Sequence, residues 1–582
     1  MSKKIGEKTG GKRIAEKAHE VGKMIDVLAA YHPLLQTLLK NRGIATREAA
    51  EKFLNSDYTR DIYDPFLILN MERAVERILR AIENKEKIIV YGDYDCDGIP
   101  GSVVLHDFFK KIGYAHFENY IPHRHTEGYG LNNGAIDGFA KDGTTLLITV
   151  DCGITDVEEV AHARDLGIDV IVTDHHLPQA VLPPAYTILN SKQDGDTYPD
   201  KMLCGAGVAW KLVCAILQRG KEKGMFADIP AGWEKWLLDM AGLSTIADMV
   251  PLVNENRALA HFGLRVLRKS TRPGLQKLFR VAKIEQTHLT EDDVGFMIAP
   301  RINAASRMDV PMRAFELLST NDEVLAGELA THLHTMNDER KWTVAGIVKE
   351  VKKRLAEREL REVIVIGNPL WRVGVLGIAA SNIVEEYGRP AFVWGREGSH
   401  TIKGSCRSDG SVNLVELMTS VSEELFLNVG GHEFSGGFSI SHEKIHLLED
   451  ELVSAYGKVK RPREEKETAV DATLSLDDVN WSTYGEIEKM APFGVGNPKP
   501  TFSFPNITIG DVRTFGKGKE HLELSFRNVY GKVVAIGFFI SADIFETRVE
   551  KGARVTLIAT MDKSLFRRTP ELRLRIVDIV PA

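Results

Sequence analysis

The sequence KIIVYGDYDCDG, residues 87–98, joins an apolar strand to a group of three carboxylates. Related segments follow as LLITVDCG at 146–153 and VIVTDHH at 170–176, with helical patterns between them. Near-continuous apolar strands that alternate with helices predict a parallel sheet covered on both faces. Open sheets of this kind bind ligands at the carboxyl ends of their strands. The sequence therefore predicts an α/β domain with its functional site at that edge.

Carboxylates at alternate positions, Asp93, Asp95 and Asp97, converge on one point whether the segment is extended or turned. Anions this close repel one another, and a divalent cation that prefers oxygen ligands, Mg²⁺ or Mn²⁺, relieves the repulsion. Taken alone, the motif is equally typical of a solvated acidic turn. Asp151 and His175 follow the next two strands, and three strand ends that carry such residues favour the metal site.

A further candidate ligand is Asp248, in the segment IADMVPL at 246–252. A carboxylate between apolar residues needs a partner if it is buried, although an aspartate at a helix end is the simpler alternative. Asp174 precedes the two histidines and could fix the tautomer of a metal-bound imidazole. The sequence contains neither a GxSxG nor a P-loop motif, and metal-dependent hydrolysis needs no nucleophilic side chain.

The bulk properties exclude several classes of protein. A chain of 582 residues exceeds one hydrophobic core and indicates three or four domains. No apolar run is long enough to cross a membrane. Five cysteines without a CxxC pair argue against a disulfide framework and a structural zinc site, and indicate a reducing cytoplasm. Residues 1–23 are interpreted as a flexible basic tail without the apolar segment of a secretory signal.

Charge is unevenly distributed along the chain. The formal net charge of −7 is not that of a strongly basic nucleic-acid binder. Residues 499–582, however, contain 14 Lys and Arg against 9 Asp and Glu. An acidic body with a basic terminal domain suits a metal site combined with a polyanion-binding surface.

Periodicity divides the chain into five segments. Leucines four residues apart predict one long helix between two α/β domains. The charged segment KVKRPREEKE at 458–467 predicts a linker, and the short alternating strands after it predict a small β-barrel. The predicted segments are an N-terminal tail and helical region (1–80), the first α/β domain (81–320), the connecting helix (321–360), a second, smaller α/β domain (361–457) and the C-terminal β domain (458–582).

Several motifs resemble the DHH phosphoesterase superfamily: GDYDCDGI at 92–99, VDCGI at 150–154, TDHHLP at 173–178 and IADMVPL at 246–252. Within it the chain is most similar to the RecJ family, through HRHTEGYGL at 123–131, APRINAASRM at 299–308, GSCRS at 404–408, GGHEFSGGFSI at 430–440 and APFGVGNPKPTF at 491–502. This resemblance covers residues 30–582 in the expected order. It implies a DHH domain, a connecting helix, a DHHA1 domain and an OB-fold, with 5′→3′ exonuclease activity on single-stranded DNA in repair and recombination.

The resemblance also implies a role for each candidate ligand. Two divalent cations, Mn²⁺ or Mg²⁺, would be bound. Asp95 and Asp151, with Asp93 nearby, would hold one cation. The other would be held by Asp97, Asp151, His175 and Asp248. His176 would contact the scissile phosphate or support the ligands.

Arginines in loops rich in Gly and Ser predict phosphate contacts, because guanidinium groups bind phosphate oxygens in a bidentate geometry and such loops offer backbone N–H groups. Any one of them alone is more typical of a surface charge. The candidates are Arg124, Arg301, Arg307 and Arg407. By resemblance, Ser405 and Arg407 would bind the 5′ end of the strand, and His432 would line the same cleft.

Aromatic residues supply candidates for base stacking. Tyr129 and Trp371 are two of them, with core packing an equal alternative for each. The C-terminal domain contributes a larger set, most of which is expected in the core and one or two at DNA: Phe502, Phe504, Phe515, Phe526, Phe538 and Phe566.

Two other functions stay open at this point. Related DHH proteins hydrolyse pyrophosphate, short oligoribonucleotides or cyclic dinucleotides, but they resemble only the two α/β domains. A non-catalytic DNA-binding scaffold would have lost the metal ligands that this chain keeps. The residues alone separate neither 5′→3′ from 3′→5′ polarity nor DNA from RNA. A helicase and a single-strand binding protein are family expectations as partners, and a monomer is expected.

Overall fold

The computed structural model describes residues 14–16, 28–396, 401–462, 468–516, 518–564 and 569–582. Most of the predicted basic tail, part of the predicted linker and Phe566 lie outside these residues. The chain forms two compact units. The larger unit comprises residues 62–250 and 259–464, and the smaller unit comprises residues 1–61, 251–258 and 465–582.

The larger unit is built on a five-stranded parallel sheet. Its strands are β2 (Lys87–Gly92), β3 (Phe117–Tyr120), β4 (Thr144–Val150), β5 (Asp169–Thr173) and β6 (Thr187–Leu189). They lie in the order β3-β2-β4-β5-β6. Nearly every side chain of β2, β4 and β5 is buried, as expected when helices cover both faces. The predicted parallel α/β sheet is confirmed.

Helices accompany this sheet, and one of them begins directly after the carboxylate turn that follows β2. In chain order they are α4 (Met71–Asn84), α5 (Gly98–Lys111), α6 (Asn133–Lys141), α7 (Val157–Asp165), α8 (Gly205–Glu222), α9 (Leu238–Ala247), α10 (Asn254–Leu267), α11 (Pro273–Ala282), α12 (Ala299–Met308) and α13 (Met312–Ser319). Residues 254–258 of α10 are assigned to the smaller unit. The predicted connecting helix is present as α14 (Glu323–Ala356).

A second, smaller sheet follows α14 and mixes parallel and antiparallel pairs. Its strands are β7 (Ile364–Gly367), β8 (Ala391–Gly395), β9 (Ile402–Arg407), β10 (Asn428–Gly431) and β11 (Ser435–Ile440), in the order β10-β11-β9-β8-β7. The pair β7 and β8 is parallel, and the other pairs are antiparallel. The accompanying helices are α15 (Leu376–Tyr387), α16 (Leu414–Thr419) and α17 (Leu448–Val459).

The smaller unit contains the predicted C-terminal β domain. Its elements are β1 (Ile14–Glu16), α1 (Pro33–Asn41), α2 (Arg47–Leu54), α3 (Tyr58–Asp61), β12 (Thr468–Val470), β13 (Ala472–Thr473), α18 (Trp481–Glu488), β14 (Thr501–Thr508), β15 (Asp511–Phe515), β16 (His521–Asn528), β17 (Gly531–Gly537), β18 (Arg554–Ser564) and β19 (Glu571–Pro581). The seven-stranded sheet has the order β13-β14-β18-β19-β17-β16-β15, and β17 pairs with β19 in parallel.

One feature of the smaller unit was not anticipated from the sequence. Leu35 and Leu38 of α1 share a hydrophobic core with Phe502 and Leu557 of the β domain. Apolar pattern alone does not reveal a partner more than 400 residues away in the chain. The N-terminal helices therefore belong to the unit of the β domain. Among the described residues, no helix combines the length and the apolarity needed to span a membrane.

Close packing at the start of α5 yields a stability prediction. A Cβ atom at Gly101 would lie 2.6 Å from Val150 Cγ1 and 3.0 Å from Ala206 Cα. We expect Gly101→Ala to destabilise the fold by about 1–3 kcal/mol, because it overpacks the contact of α5 with β4 and α8. Thermal unfolding measures the effect.

Gly138→Ala in α6 is the matched control, since nothing lies within 4 Å of the added Cβ. It should stabilise the helix by up to about 1 kcal/mol. Equal unfolding temperatures for the two variants would contradict the packing described here.

Candidate active site

The carboxyl ends of three neighbouring strands bring the predicted ligands together. Asp93 directly follows β2, Asp151 follows β4, and His175 lies two residues after β5. Asp248 joins them from the C-terminal end of α9. Potential ligand atoms lie within 4.8 Å of one another in each of three groups: Asp93, Asp95 and Asp151; Asp97, His175 and Asp248; and Asp151, His175 and His176.

His175 faces three of the carboxylates. Its Nε2 lies 3.1 Å from Asp151 Oδ1, 3.6 Å from Asp97 Oδ2 and 3.7 Å from Asp248 Oδ2. Burial, and then the neighbouring His176, lower the pKa of His175 to about 3. The imidazole is therefore neutral near pH 7, which is the form that coordinates metal ions.

Backbone N–H groups hold the carboxylate turn in place. Asp95 Oδ1 accepts hydrogen bonds from the N–H groups of Asp97 at 2.7 Å and Gly98 at 3.2 Å. The Asp97 carboxylate accepts from Gly205 at 2.6 Å and from Ala206 at 2.8 Å, at the N-terminus of α8. A helix N-terminus stabilises a carboxylate through its free N–H groups and its dipole. The contact between Asp97 and α8 was missed from the sequence, because it joins segments more than 100 residues apart.

Asp151 has an unusual backbone conformation. Its φ of 63° lies in the left-handed region that residues with a side chain rarely adopt. The N–H of Asp151 donates to the Thr173 carbonyl at 3.0 Å, which links the ends of β4 and β5. A Cβ atom at Gly205 would lie 2.6 Å from Asp151 Cβ, so only glycine allows α8 to approach. Strain of this kind is common at functional sites.

The carboxylates shift one another's pKa upwards. Burial first, and then Asp95, raise the pKa of Asp97 to about 6. Burial, and then Asp97 and Asp95, raise the pKa of Asp248 to about 9. Burial and neighbouring aspartates also raise the pKa values of Asp93 and Asp151 well above the usual range. A divalent cation among these groups would favour their ionised forms.

Two oxygens of the cluster lack hydrogen bonds. Asp93 Oδ1 and Asp151 Oδ1 are buried, and neither has a hydrogen-bond partner among the described residues. Buried polar atoms almost always have a partner. Carboxylate oxygens beside a neutral imidazole form a donor set that suits Mn²⁺ or Mg²⁺. The residues present therefore fit the divalent cations that the sequence predicts.

Asp174 orients His176 at the edge of the ligand cluster. Asp174 Oδ1 lies 2.8 Å from His176 Nδ1, and Asp174 Oδ2 accepts from the Ile154 N–H at 3.0 Å. Burial opposes the ionisation of both groups, but their hydrogen bond lowers the pKa of Asp174 and raises that of His176. The Tyr129 hydroxyl lies 3.2 Å from His176 Nδ1 and donates to the Asp151 carbonyl at 3.2 Å. Tyr129 therefore borders the ligands, and it is 46% exposed.

Four arginines, which we term the arginine cluster, interact electrostatically with one another: Arg124, Arg307, Arg340 and Arg407. Arg307 also interacts with Asp95, and Arg124 with Asp93. Burial, and then Arg124 and Arg340, lower the pKa of Arg307 to about 10. Burial also lowers the pKa values of Arg340 and Arg407, to which Arg301 and Arg124 respectively contribute. Arg340 Nε is buried and has no hydrogen-bond partner among the described residues. Guanidinium groups that repel one another in this way are suited to an anion such as phosphate.

Arg340 was missed from the sequence because it lies in the middle of α14, where a charged residue is typical of a solvated face. Arg301, which is predicted to bind phosphate, donates to the Met297 carbonyl at 2.5 Å and to His334 Nδ1 at 3.2 Å. The Arg301 guanidinium therefore forms hydrogen bonds within the helical region. Arg340 interacts electrostatically with both Arg301 and Arg307.

The remaining predicted residues lie on or near the second sheet. Ser405 and Arg407 are on β9, and Arg407 pairs with Ser435 of β11. His432 lies in the exposed turn between β10 and β11, and its N–H donates to the Ser435 carbonyl at 2.8 Å. Trp371 is buried and donates its Nε1–H to Glu350 at 3.2 Å, so core packing is the correct alternative for this residue.

The structure separates the candidate phenylalanines that it describes in the C-terminal domain into two groups. Phe502, Phe504 and Phe526 are fully buried in the core of the β domain. Phe538 is 39% exposed and lies 6.2 Å from Phe515, between ring centroids. Of these residues, only the second group is accessible to a ligand.

Three family models match the chain: the DHH family, N-terminal domain, over residues 87–235; the DHHA1 domain over 361–457; and the RecJ OB domain over 470–578. The chain is 36% identical to the single-stranded-DNA-specific exonuclease RecJ of Bacillus subtilis (strain 168), over 93% of this chain and 67% of that protein. It is 31% identical to the protein of the same name from Escherichia coli (strain K12), over 98% of this chain and 99% of that protein.

A solved structure shows the same likeness in three dimensions. The crystal structure of RecJ in complex with Mn²⁺ from Thermus thermophilus has a TM-score of 0.78 and 26% sequence identity to this chain. The similarity covers 96% of this chain and 77% of that chain.

The raised pKa values lead to a prediction about pH. A carboxyl group whose folded pKa lies above its unfolded value binds its proton more tightly in the folded state, so stability falls as pH rises between the two values. For Asp248 these values are 3.8 and about 9. We expect metal-free protein in EDTA to unfold at progressively lower temperature across that window. Mn²⁺ should raise the unfolding temperature most at the alkaline end.

Asp248→Asn removes one of the titrating groups and should flatten the decline in the metal-free protein. Comparison with the wild type isolates this group from others that titrate in the same window. A wild-type profile that rises with pH in EDTA, or one that Asp248→Asn leaves unchanged, would contradict the electrostatics described here.

Proposed function

Because the chain belongs to the RecJ family of single-stranded-DNA-specific exonucleases, we propose that it degrades single-stranded DNA from the 5′ end, releasing 5′-mononucleotides, in DNA repair and recombination. The chain is a metal-dependent nuclease with Mn²⁺ or Mg²⁺ as cofactor. The proposal rests on one observation: a cluster of carboxylates and a cluster of arginines lie next to each other in the larger unit. Buried carboxylates with orphan oxygens lie beside arginines that repel one another.

We assign one cation to Asp93, Asp95 and Asp151, and the other to Asp97, Asp151, His175 and Asp248. Divalent cations, when bound, lower the pKa of a water molecule and stabilise charge that develops on phosphate oxygens. His175 offers a neutral nitrogen to this set, since burial keeps it unprotonated. Asp97 is held in place by the N-terminus of α8, which limits the reorganisation that cation binding requires.

The chain's own residues would position the substrate. In our proposal His176, oriented by Asp174 and raised in pKa by it, donates a hydrogen bond to the scissile phosphate. Tyr129 lies beside His176 and would offer its exposed ring to the terminal base. The arginine cluster, with Ser405 and His432, would bind the phosphates nearest the 5′ end. Charge-assisted hydrogen bonds from arginine suit this role, because they are strong and bidentate.

Two rival functions are less well supported. A phosphoesterase of small substrates needs only the two α/β domains, whereas this chain also matches the RecJ OB domain over residues 470–578. A non-catalytic scaffold would not need the ligand groups that lie within 4.8 Å of one another. Both observations favour a nuclease that acts on a polymer.

The cellular context is part of the same proposal. All five cysteines lie among the described residues and are free thiols, which agrees with a reducing cytoplasm. A helicase and a single-strand binding protein as partners follow from family membership alone. A monomer is proposed because a single chain carries every residue assigned to the site.

The first test is degradation of single-stranded DNA labelled at either end, in Mn²⁺ or Mg²⁺. Wild-type protein should release labelled mononucleotide early from 5′-labelled DNA and late from 3′-labelled DNA. Asp151→Ala should lower the rate on the order of a thousandfold or more, because Asp151 is a ligand in two of the three groups. Early release from the 3′ end would reverse the proposed polarity, and wild-type protein that binds DNA but cleaves none would support the scaffold.

A second test concerns Arg340. We expect Arg340→Ala to raise the KM for single-stranded DNA roughly tenfold, because a charged hydrogen bond to phosphate is lost. The unfolding temperature of the variant without DNA should not fall. Burial and Arg301 both disfavour the charged form of the Arg340 guanidinium, so its removal relieves an unfavourable charge.

Arg313→Ala is the matched control for Arg340→Ala. Arg313 is exposed on α13 and is paired with Glu316, so its removal should leave the KM unchanged. An unchanged KM for Arg340→Ala, or equal effects of the two variants, would remove Arg340 from the phosphate site.

A further inference from the structure

The turn that follows β6 contacts the backbone of both histidines in the ligand cluster. Lys192 Nζ donates a hydrogen bond to the His175 carbonyl, and Asn190 Nδ2 donates to the His176 carbonyl at 2.9 Å. The Lys192 N–H donates to Asn190 Oδ1 at 2.9 Å, so the two side chains belong to one ordered turn. Asn190 is buried and Lys192 is half-buried. The turn therefore holds the backbone that presents His175 to a metal ion.

The ammonium group of Lys192 also faces carboxylates. Lys192 interacts electrostatically with Asp248 and Asp174, while burial lowers its pKa. Asp174 already accepts hydrogen bonds from the N–H groups of His175 at 2.7 Å and Ile154 at 3.0 Å. Neighbouring aspartates repel the Asp248 carboxylate, and Lys192 attracts it. Of the two, Asp248 is therefore the carboxylate that depends on Lys192 for compensation.

The charge of Lys192 reaches two ligands that different elements supply. We term the cation assigned to Asp97, Asp151, His175 and Asp248 the second cation. His175 Nε2 lies 3.7 Å from Asp248 Oδ2, although one residue follows β5 and the other ends α9. Lys192 interacts electrostatically with both side chains. The second cation, bound between these side chains, would therefore experience the positive charge of Lys192.

The arginines near the other carboxylates have a different assignment. Arg124 interacts with Asp93 and Arg307 with Asp95, and both arginines belong to the arginine cluster that we assign to phosphate. Lys192 is instead held against a backbone carbonyl, so its ammonium is engaged by the protein itself. Its charge therefore acts on the ligand cluster.

A fixed positive charge beside a cation site lowers the affinity of that site. Coulomb energy scales with the product of the two charges, and it is larger in partly buried surroundings than in water. In the metal-free protein the ammonium offsets part of the repulsion on Asp248. When the second cation binds, the same ammonium repels both of its positive charges. Lys192 therefore favours the metal-free state of the site over the metal-bound state.

The hydrogen bond from Lys192 to the His175 carbonyl acts in the opposite direction, because it preorganises a ligand. Other hydrogen bonds hold the same segment, however. Asn190 donates to the next carbonyl, and the Asp174 N–H donates to the Leu189 carbonyl at 3.1 Å. These contacts remain when the lysine is replaced. The charge of Lys192 therefore decides the direction of its effect on cation binding.

We propose that the Lys192 ammonium is an internal counter-ion that limits the affinity of the protein for the second cation. Through this charge Lys192 sets the metal concentration at which the site fills, and through its hydrogen bond it is a positioning residue for His175. The inference rests on the proposed function, which assigns the second cation to the set that contains Asp248.

Isothermal titration of Mn²⁺ alone into the metal-free protein tests the proposal without hydrolysis. Asp248→Asn should weaken one binding step, which identifies the second cation. Lys192→Gln should tighten that same step roughly tenfold, because it removes the charge and keeps a donor for the His175 carbonyl. By linkage, Mn²⁺ should raise the unfolding temperature of Lys192→Gln by more than that of the wild type.

Two variants serve as controls. Lys192→Arg keeps the charge and should bind the second cation with wild-type affinity. Lys223→Gln removes an exposed lysine that directly follows α8, a helix of 18 residues whose first residue donates to Asp97. The length of the helix places Lys223 about 27 Å from the ligands, so this variant should leave both binding steps unchanged. The Mn²⁺ concentration for half-maximal hydrolysis should fall for Lys192→Gln only.

The outcomes separate this inference from the proposed function. Equal or weaker binding of the second cation by Lys192→Gln would overturn the inference, since weaker binding would make the lysine a structural clamp. Unchanged Mn²⁺ affinity with a raised KM for DNA would assign Lys192 to the substrate instead. If Asp248→Asn alters no binding step, the metal assignment fails and the inference fails with it. Wild-type protein that binds Mn²⁺ but hydrolyses no DNA would count against the proposed function, while the titrations still judge Lys192.

Discussion

Asp93, Asp95, Asp97, Asp151 and Asp248 share one largely buried volume, and their mutual repulsion is the interaction that the surrounding structure has to offset. Backbone N–H groups offset part of this repulsion. The turn after β2 donates to Asp95, and the start of α8 donates to Asp97. Burial keeps His175 neutral, so its nitrogen adds a donor without adding charge of either sign. Asp93 Oδ1 and Asp151 Oδ1 have no hydrogen-bond partner among the described residues, so bound cations would neutralise the repulsion that the protein itself does not offset.

The arginine cluster has the same problem with the opposite sign, because its positive charges repel one another. Burial lowers the pKa values of Arg307 and Arg407, and neighbouring guanidinium groups lower them further, while Asp95 opposes the shift of Arg307. A phosphodiester placed between the two clusters would supply anionic oxygens to the arginines and to the cations at once. Substrate binding would then relieve repulsion in both clusters. Each cluster would destabilise a protein on its own. The larger unit tolerates both because the substrate would neutralise the two charges together.

Much of this arrangement could be predicted from local sequence. Each ligand-bearing turn follows a short apolar strand, and parallel strands bring their carboxyl ends to one edge. For that reason Asp93, Asp151 and His175 were identified together, and the long α14 followed from its leucine spacing. The same reasoning identified the C-terminal β domain from short alternating strands. These features depend on residues close together in the chain, which is where pattern is informative.

Contacts between distant segments could not be predicted in this way. Arg340 has the sequence context of a solvated helical residue, yet it interacts with Arg307 across the fold. Arg301 has the context of a phosphate ligand and is engaged by His334. The pairing of Asp97 with α8 and the sharing of a core by α1 and the β domain are likewise long-range. In the β domain, only the structure distinguishes the exposed Phe538 from the buried Phe526.

The most direct test of the central claim is a crystal structure of the protein soaked in Mn²⁺, with an anomalous difference map calculated at the manganese edge. We expect two peaks on either side of Asp151, one next to Asp93 and Asp95 and the other next to His175 and Asp248. A map without anomalous density among these residues, in crystals that bind Mn²⁺ elsewhere, would show that these carboxylates and His175 do not form the metal site. The repulsion among the aspartates would then need another source of compensation.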